Sequence, residues 1–207
     1  MNASFSKKAL SLGLGLFFFS SGTLLAQSAW KLEKDQNGVK VYVRTVANQP
    51  MKESKAIVQF SSTPEAVLKV IFDFPRYGEW VPRVINAREV ERNGDSEIIS
   101  YSLNDSPWPV SDRDLVLRNT IKRASDGSVT ILLKGLSGKV PEKSGIVRMT
   151  LYEGFYQISP KGNGQVEVVY QALFDPAGSI PAWMANMAVV DTPYELLMGM
   201  RKKLTGK

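Results

Sequence analysis

QVEVVYQALFDPAGSIPAWMANMAVV, residues 165–190, carries the chain from one kind of secondary structure into another. In its first ten residues Val166, Val168, Tyr170 and Ala172 recur at every second position, which puts them on one face of a β-strand. The segment from Asp175 to Pro181 then breaks the pattern with two prolines and a glycine. Beyond it the spacing changes. Trp183, Met187 and Val190 fall at i, i+4 and i+7, the spacing of an amphipathic helix, and Leu197, Met200 and Leu204 continue the apolar side. Thr192, Pro193 and Glu195 fit the N-cap, N1 and N3 positions of a capping box. The stretch is therefore read as a kinked helix, or as two helices in series, broken at Pro193.

The rest of the chain supplies the strands that such a helix would cover. Val39, Val41 and Val43 alternate with polar residues after an Asn37-Gly38 turn, and 52–60 makes a second strand. A short helix follows, with Thr63 as cap, Pro64 in its first turn and Ala66, Val67, Val70 and Ile71 on its apolar side. Asp73-Phe74-Pro75 ends it, and 76–81 is a turn that carries Trp80. Strands 84–92 and 96–104 meet across Asn93-Gly94, and 114–123 and 128–134 meet across Asp126-Gly127. Residues 146–152 run into 155–159, and the turn 161–164 leads into 165–174. Asn-Gly and Asp-Gly between alternating segments are strong hairpin signals. An antiparallel sheet of this length must bury one face, and the C-terminal helix is the late element available to cover it. The expected fold class is α+β: a curved antiparallel sheet wrapped around a long C-terminal helix, with an apolar cavity between them.

The first residues read differently. Lys7 and Lys8 precede an apolar run that includes Phe17, Phe18 and Phe19, and small residues from Ala26 to Ala29 follow. This is the pattern of a secretory signal peptide over 1–28, ahead of a domain over 29–207. The expected location is periplasmic or secreted. Losing Lys7 and Lys8 would lower the formal charge of +6 by two. The remaining Lys and Arg are scattered, which argues against a nucleic-acid partner and leaves transient contact with an anionic membrane surface as the expectation. The chain has no His and no Cys. That removes the commonest general base, the commonest transition-metal ligand, the thiol nucleophile and the thiolate site. No catalytic residue, metal or cofactor is expected, and the chain is expected to be a monomer.

Two arginines stand in otherwise apolar strand patterns. Arg113 shares strand parity with Leu115 and Leu117 and so points inward. A buried guanidinium needs a carboxylate, a ring of carbonyls or an anionic ligand group. A salt bridge that holds the fold and a contact to a lipid phosphate are both open readings. Arg148, between Ile146 and Thr150, is read as lying on a solvated outer face. Met184, Met187, Met198 and Met200 make the C-terminal helix rich in an adaptable apolar side chain.

Three motifs in order, PWPVSDRD at 107–114, EKSGIVR at 142–148 and DPAGSIPAWMAN at 175–186, resemble START domains, most closely the phosphatidylcholine-transfer branch, over roughly Trp30 to Leu204. The resemblance implies a helix-grip fold, one bound lipid in an apolar cavity and a C-terminal helix acting as lid. It implies that Arg113 lies near a headgroup phosphate, so a phospholipid is the favoured ligand. The charge pair of sterol-binding members, expected near Leu103 and at Asn119, is missing. Tyr101 and Tyr170 are candidates for an aromatic cage. The lipid-binding set is therefore Tyr101, Arg113, Leu115, Leu117, Tyr170, Trp183, Met184 and Met187. Related helix-grip folds include polyketide cyclases, so a cyclase-like enzyme and a lipid-responsive interaction module are the alternatives.

Overall fold

The computed structural model describes residues 28–49, 51–181, 184, 185 and 187–206. The signal-peptide reading of 1–28 falls almost wholly outside the described residues. Ten strands form one sheet: β1 (Lys31–Gln36), β2 (Val39–Arg44), β3 (Glu53–Ser61), β4 (Val84–Asn93), β5 (Glu97–Asn104), β6 (Arg113–Arg123), β7 (Val129–Gly135), β8 (Val147–Met149), β9 (Tyr152–Gly162) and β10 (Gln165–Phe174). Their order is β1-β2-β3-β10-β9-β7-β6-β5-β4, all antiparallel, with β8 paired to β6 in parallel. The hairpins at Asn93-Gly94, Asp126-Gly127 and 161–164 form where the turn chemistry puts them. Gly94 and Gly127 take positive φ, as those turns require.

β1 was not anticipated, because its side chains are nearly all exposed and show no alternation. It pairs with β2 through the Asn37-Gly38 turn. The run 146–152 is not one strand leading into the next. Only Val147–Met149 pairs, in parallel with Arg113–Leu115, before the chain re-enters the sheet at Tyr152.

The helix α1 spans Pro64–Ile71, and the Thr63 hydroxyl accepts from the Ala66 N–H as the cap. A 3-10 helix, Phe74–Glu79, follows and presents Trp80. At the other end of the chain a π-helical turn, Met187–Asp191, runs directly into α2, Thr192–Thr205. The expected break at Pro193 and the capping box do not form. Asp191, which precedes α2, is already in helical conformation and makes no side-chain cap, so Thr192 lies inside the helical run. The π turn widens the helix just ahead of a residue that has no N–H to give, which lets the chain pass Pro193 without ending. Asp191 pairs with Lys34 of β1 instead, at 2.8 Å.

Leu196, Leu197 and Met200 of α2 are buried against the concave side of β2, β3 and β10 and against α1. Leu197 and Met200 have no exposed surface, and each contributes about 1.5–3 kcal/mol relative to exposure. A Cβ at Gly199 would stand 2.1 Å from the Trp80 carbonyl oxygen, so only glycine lets α2 seat this closely on the Phe74–Glu79 turn. The helix is thus gripped at its C-terminal half. Its N-terminal approach, from Met184 to Thr192, stands over a gap in the sheet's concave face. Among the described residues no helix is long and apolar enough to cross a membrane.

Candidate functional site: an apolar cavity

The gap is a cavity of about 220 Å³. Its floor is the concave face of β5, β6, β7, β9 and β10. Residues opposite one another in the register share that face: Ser100 with Leu117, Ser102 with Leu115, Asn104 with Arg113 and Ile98 with Asn119. Met184, Met187, Ala188, Thr192 and Leu196 form the roof. The roof residues recur about every four positions, so one side of the helical run, π turn included, faces the cavity. At the rim Arg83 and Asp105, both exposed, pair at 2.8 Å.

Arg113 is 5 % exposed and lines the cavity beside Leu115 and Leu117. Among the described residues no carboxylate pairs with it. Its Nε donates to the Pro176 carbonyl and its Nη2 to that of Ala177, each at 3.3 Å, and its Nη1 donates to the Ser111 carbonyl. The carbonyl ring is therefore the answer to how this guanidinium is satisfied. Burial holds it below the ordinary arginine range, with Asp112 pulling the other way. The two bonds to Pro176 and Ala177 tie β6 to the segment that follows β10, so Arg113 fastens the start of the roof to the floor.

The salt bridge expected at Arg113 is made by Arg148 instead. Arg148 does not lie on a solvated face. Its guanidinium meets Asp114 through two bonds of 2.6 and 2.9 Å, with the side chains 3 % and 1 % exposed. It also donates to the carbonyls of Ser137, Val140 and Pro141. The bonds to Asp114 raise its pKa further. The segment 136–146 covers this outer face of β6, which is why both faces of the strand are buried there.

Tyr101 belongs to that outer layer. It sits in the cavity wall between Ser100 and Ser102, but it pairs with Val116, and its ring packs with Ile99, Val116 and Val140, away from the lumen. Arg88 and Lys143 stand over the ring at 5.3 and 5.7 Å. As an aromatic cage residue it is a correction, because strand parity turns the ring outward. Tyr170 does face the lumen. It lies against Tyr156, with ring centroids 5.0 Å apart, and its hydroxyl meets that of Tyr152. Met184 and Met187 line the roof. Trp183 lies outside the described residues.

The sequence reading missed much of the aromatic lining. Phe74 and Tyr77 come from the 3-10 helix, and Tyr152, Tyr156 and Phe174 from the last two strands. Tyr152 stacks on Phe174 at 5.4 Å. A signal was available: Tyr152 and Tyr156 are four apart in a strand and so share a face, and Tyr156 opposes Tyr170. Burial pushes the Tyr152 phenol up to about 12 and those of Tyr156 and Tyr170 well above the usual range, so all three stay protonated. Among the described residues no group of His, Cys, Asp and Glu could hold a metal ion.

The comparisons agree with this architecture. The model of the START domain family matches residues 19–205. An uncharacterised protein of Pseudomonas aeruginosa is 34 % identical over 184 residues, which cover 89 % of this chain and 90 % of that one. The human phosphatidylcholine transfer protein is 27 % identical over 169 residues, 79 % of this chain and 78 % of its own. The crystal structure of a STAR-related lipid transfer protein fragment from Xanthomonas axonopodis superposes with a TM-score of 0.79 at 35 % identity, over 85 % of this chain and 98 % of that one. With its sheet curved about a C-terminal helix and an apolar cavity between them, the chain belongs to the START domain family.

Proposed function

We propose that the chain binds one lipid in this cavity and carries it without chemical turnover. The observation that carries the reading is the largely apolar space between the floor strands and a roof built from a Met-containing helical turn. The names of the human and Xanthomonas relatives, a phosphatidylcholine transfer protein and a lipid transfer protein, support it. Each methylene that leaves water for such a space gains about 0.8 kcal/mol. The cavity volume, about 220 Å³, is below the roughly 300–1,000 Å³ of ligand pockets, so a two-chain lipid requires the roof to swing outward. Release would take place at a membrane. Trp108, 91 % exposed, and Ile85, 54 % exposed, adjoin the rim loops and would meet the bilayer first. The chain would act as a monomer, with no nucleic-acid partner.

The finer expectation, a phospholipid with its phosphate at Arg113, has one support: the remaining Nη1 and Nη2 hydrogens of a guanidinium that lines the cavity. Against it, the carbonyl ring already satisfies this cation.

Native mass spectrometry of protein from its own host is expected to show one lipid per chain. Met187→Trp, which fills the lumen beneath the roof, is expected to lose that lipid while unfolding stays cooperative. In the same preparation Trp108→Ala is expected to slow transfer between vesicles without lowering lipid content. Undiminished lipid in Met187→Trp would put the binding site elsewhere.

Export completes the proposal. Lys7, Lys8, the apolar run and the small residues before Trp30 support it, and N-terminal sequencing of the mature chain is expected to begin between Gln27 and Trp30. Intact Met1 in a cytoplasmic fraction would defeat it.

A further inference from the structure

Thioethers are the only sulfur in this chain, which has seven methionines and no cysteine. Three of them line the cavity. Met149 ends β8, opposite Leu115 of β6, and is buried in the wall. Met184, buried, and Met187, half-buried, belong to the roof. The lumen therefore has thioethers on two sides. The other described methionines are placed differently. Met200 has no exposed surface and sits in the core. The Met198 sulfur accepts from Arg201 Nη2 at 3.0 Å. Met51, half-buried ahead of β3, is outside the lining.

Peroxides oxidise a thioether by two electrons. The sulfur lone pair attacks one oxygen, the O–O bond breaks, and the attacked oxygen stays on sulfur as the sulfoxide. Its proton passes to the other oxygen, which leaves as water. The cavity admits such an oxidant. It reaches the surface at the exposed Arg83–Asp105 pair, and its volume of about 220 Å³ is several times the roughly 30 Å³ that one water takes in the liquid. A lipid in the cavity covers the sulfurs and closes that route. A sulfoxide oxygen needs a donor. Water in the empty cavity supplies one, and the hydrocarbon of a bound lipid does not. Oxidation therefore stabilises the empty state relative to the loaded one, which lowers the affinity for lipid.

We propose that Met149, Met184 and Met187 form a peroxide-sensitive site that controls loading. Bound lipid shields the three sulfurs, and peroxide acting on the empty carrier keeps it empty until the sulfoxides are reduced. The proposal rests on the lipid-carrier reading and adds its regulation.

The test uses delipidated full-length protein, vesicles of its host's total lipid extract, and hydrogen peroxide. Peptide mass spectrometry reads sulfoxide at each methionine, and native mass spectrometry reads the lipid taken up. Met149, Met184 and Met187 are expected to oxidise several-fold more slowly once the protein is loaded, while Met51 keeps its rate. The oxidised protein, still unfolding cooperatively, is expected to bind lipid about tenfold more weakly, the effect of one buried polar group left unsatisfied. A variant with Met149→Leu, Met184→Leu and Met187→Leu is compared with itself: its uptake before and after peroxide is expected to be equal. Methionine sulfoxide reductase is expected to restore uptake in the oxidised wild type, a readout that does not need the variant to fold. Unchanged uptake after oxidation at the three positions would overturn the proposal and leave the carrier reading standing. So would equal oxidation rates with and without lipid, an equal loss in the Leu variant, or an oxidised protein that no longer unfolds cooperatively. An untreated protein that takes up no lipid would overturn both.

Discussion

Arg148→Leu is expected to lower the stability of the fold by about 3–5 kcal/mol, the loss found when one partner of a buried ion pair is removed. Asp114, 1 % exposed, would then keep its charge in apolar surroundings without its two-bonded partner. The carbonyls of Ser137, Val140 and Pro141 would lose their donor at the same time. The midpoint of thermal unfolding should fall by on the order of 10 °C. The double variant Arg148→Leu, Asp114→Leu should recover much of the loss, because it leaves no stranded charge. A double-mutant cycle measured by chemical unfolding reads this directly. Lipid content per folded molecule should stay near normal, since the pair lies on the outer face of β6 and the lumen on the inner. Additive losses in the cycle would show that the pair contributes as two independent groups.

Arg113→Leu is expected to be the next most damaging change, for a different reason. No carboxylate is stranded by it. Three carbonyls, those of Ser111, Pro176 and Ala177, lose a donor at about 1–3 kcal/mol each, while the cost of burying the cation is recovered. The net loss should be roughly 2–4 kcal/mol in thermal unfolding. The 175–177 segment is otherwise held by Asp175, whose backbone N–H bonds the Leu151 carbonyl and whose carboxylate accepts from the Ala177 N–H. The start of the roof should therefore loosen, and the backbone amides of 177–180 should exchange faster. Binding of an uncharged lipid, measured per folded molecule, should change little. Normal stability together with a tenfold or greater loss confined to phospholipids would return Arg113 to the role of a phosphate ligand.

These two arginines mark where local sequence stops being informative. Both sit in apolar strand patterns, and parity assigns Arg113 to the inner face correctly. Parity also assigns Arg148, Asp114 and Tyr101 to the outer face, and there the inference from outer to solvated fails. The outer face of β6 is covered by 136–146, a segment with no regular pattern of its own, and β8 pairs with β6 in parallel across more than thirty residues of chain. Nothing in the neighbourhood of Arg148 signals that its carboxylate partner will be Asp114.

The sequence by itself determined what short-range physics can determine. Turn chemistry at Asn93-Gly94 and Asp126-Gly127 set the hairpins. Thr63 and Pro64 started α1, and alternation at Val166 to Ala172 chose the buried face of β10. Absence of His and Cys removed whole classes of chemistry, and three spaced motifs pointed to the family. Tertiary structure alone decided the rest: which arginine is paired and which is ringed by carbonyls, and that the helical run passes Pro193 through a π turn. Each depends on register between distant strands and on which segment covers which face. A one-residue change of register reverses every side chain, and no local pattern records it.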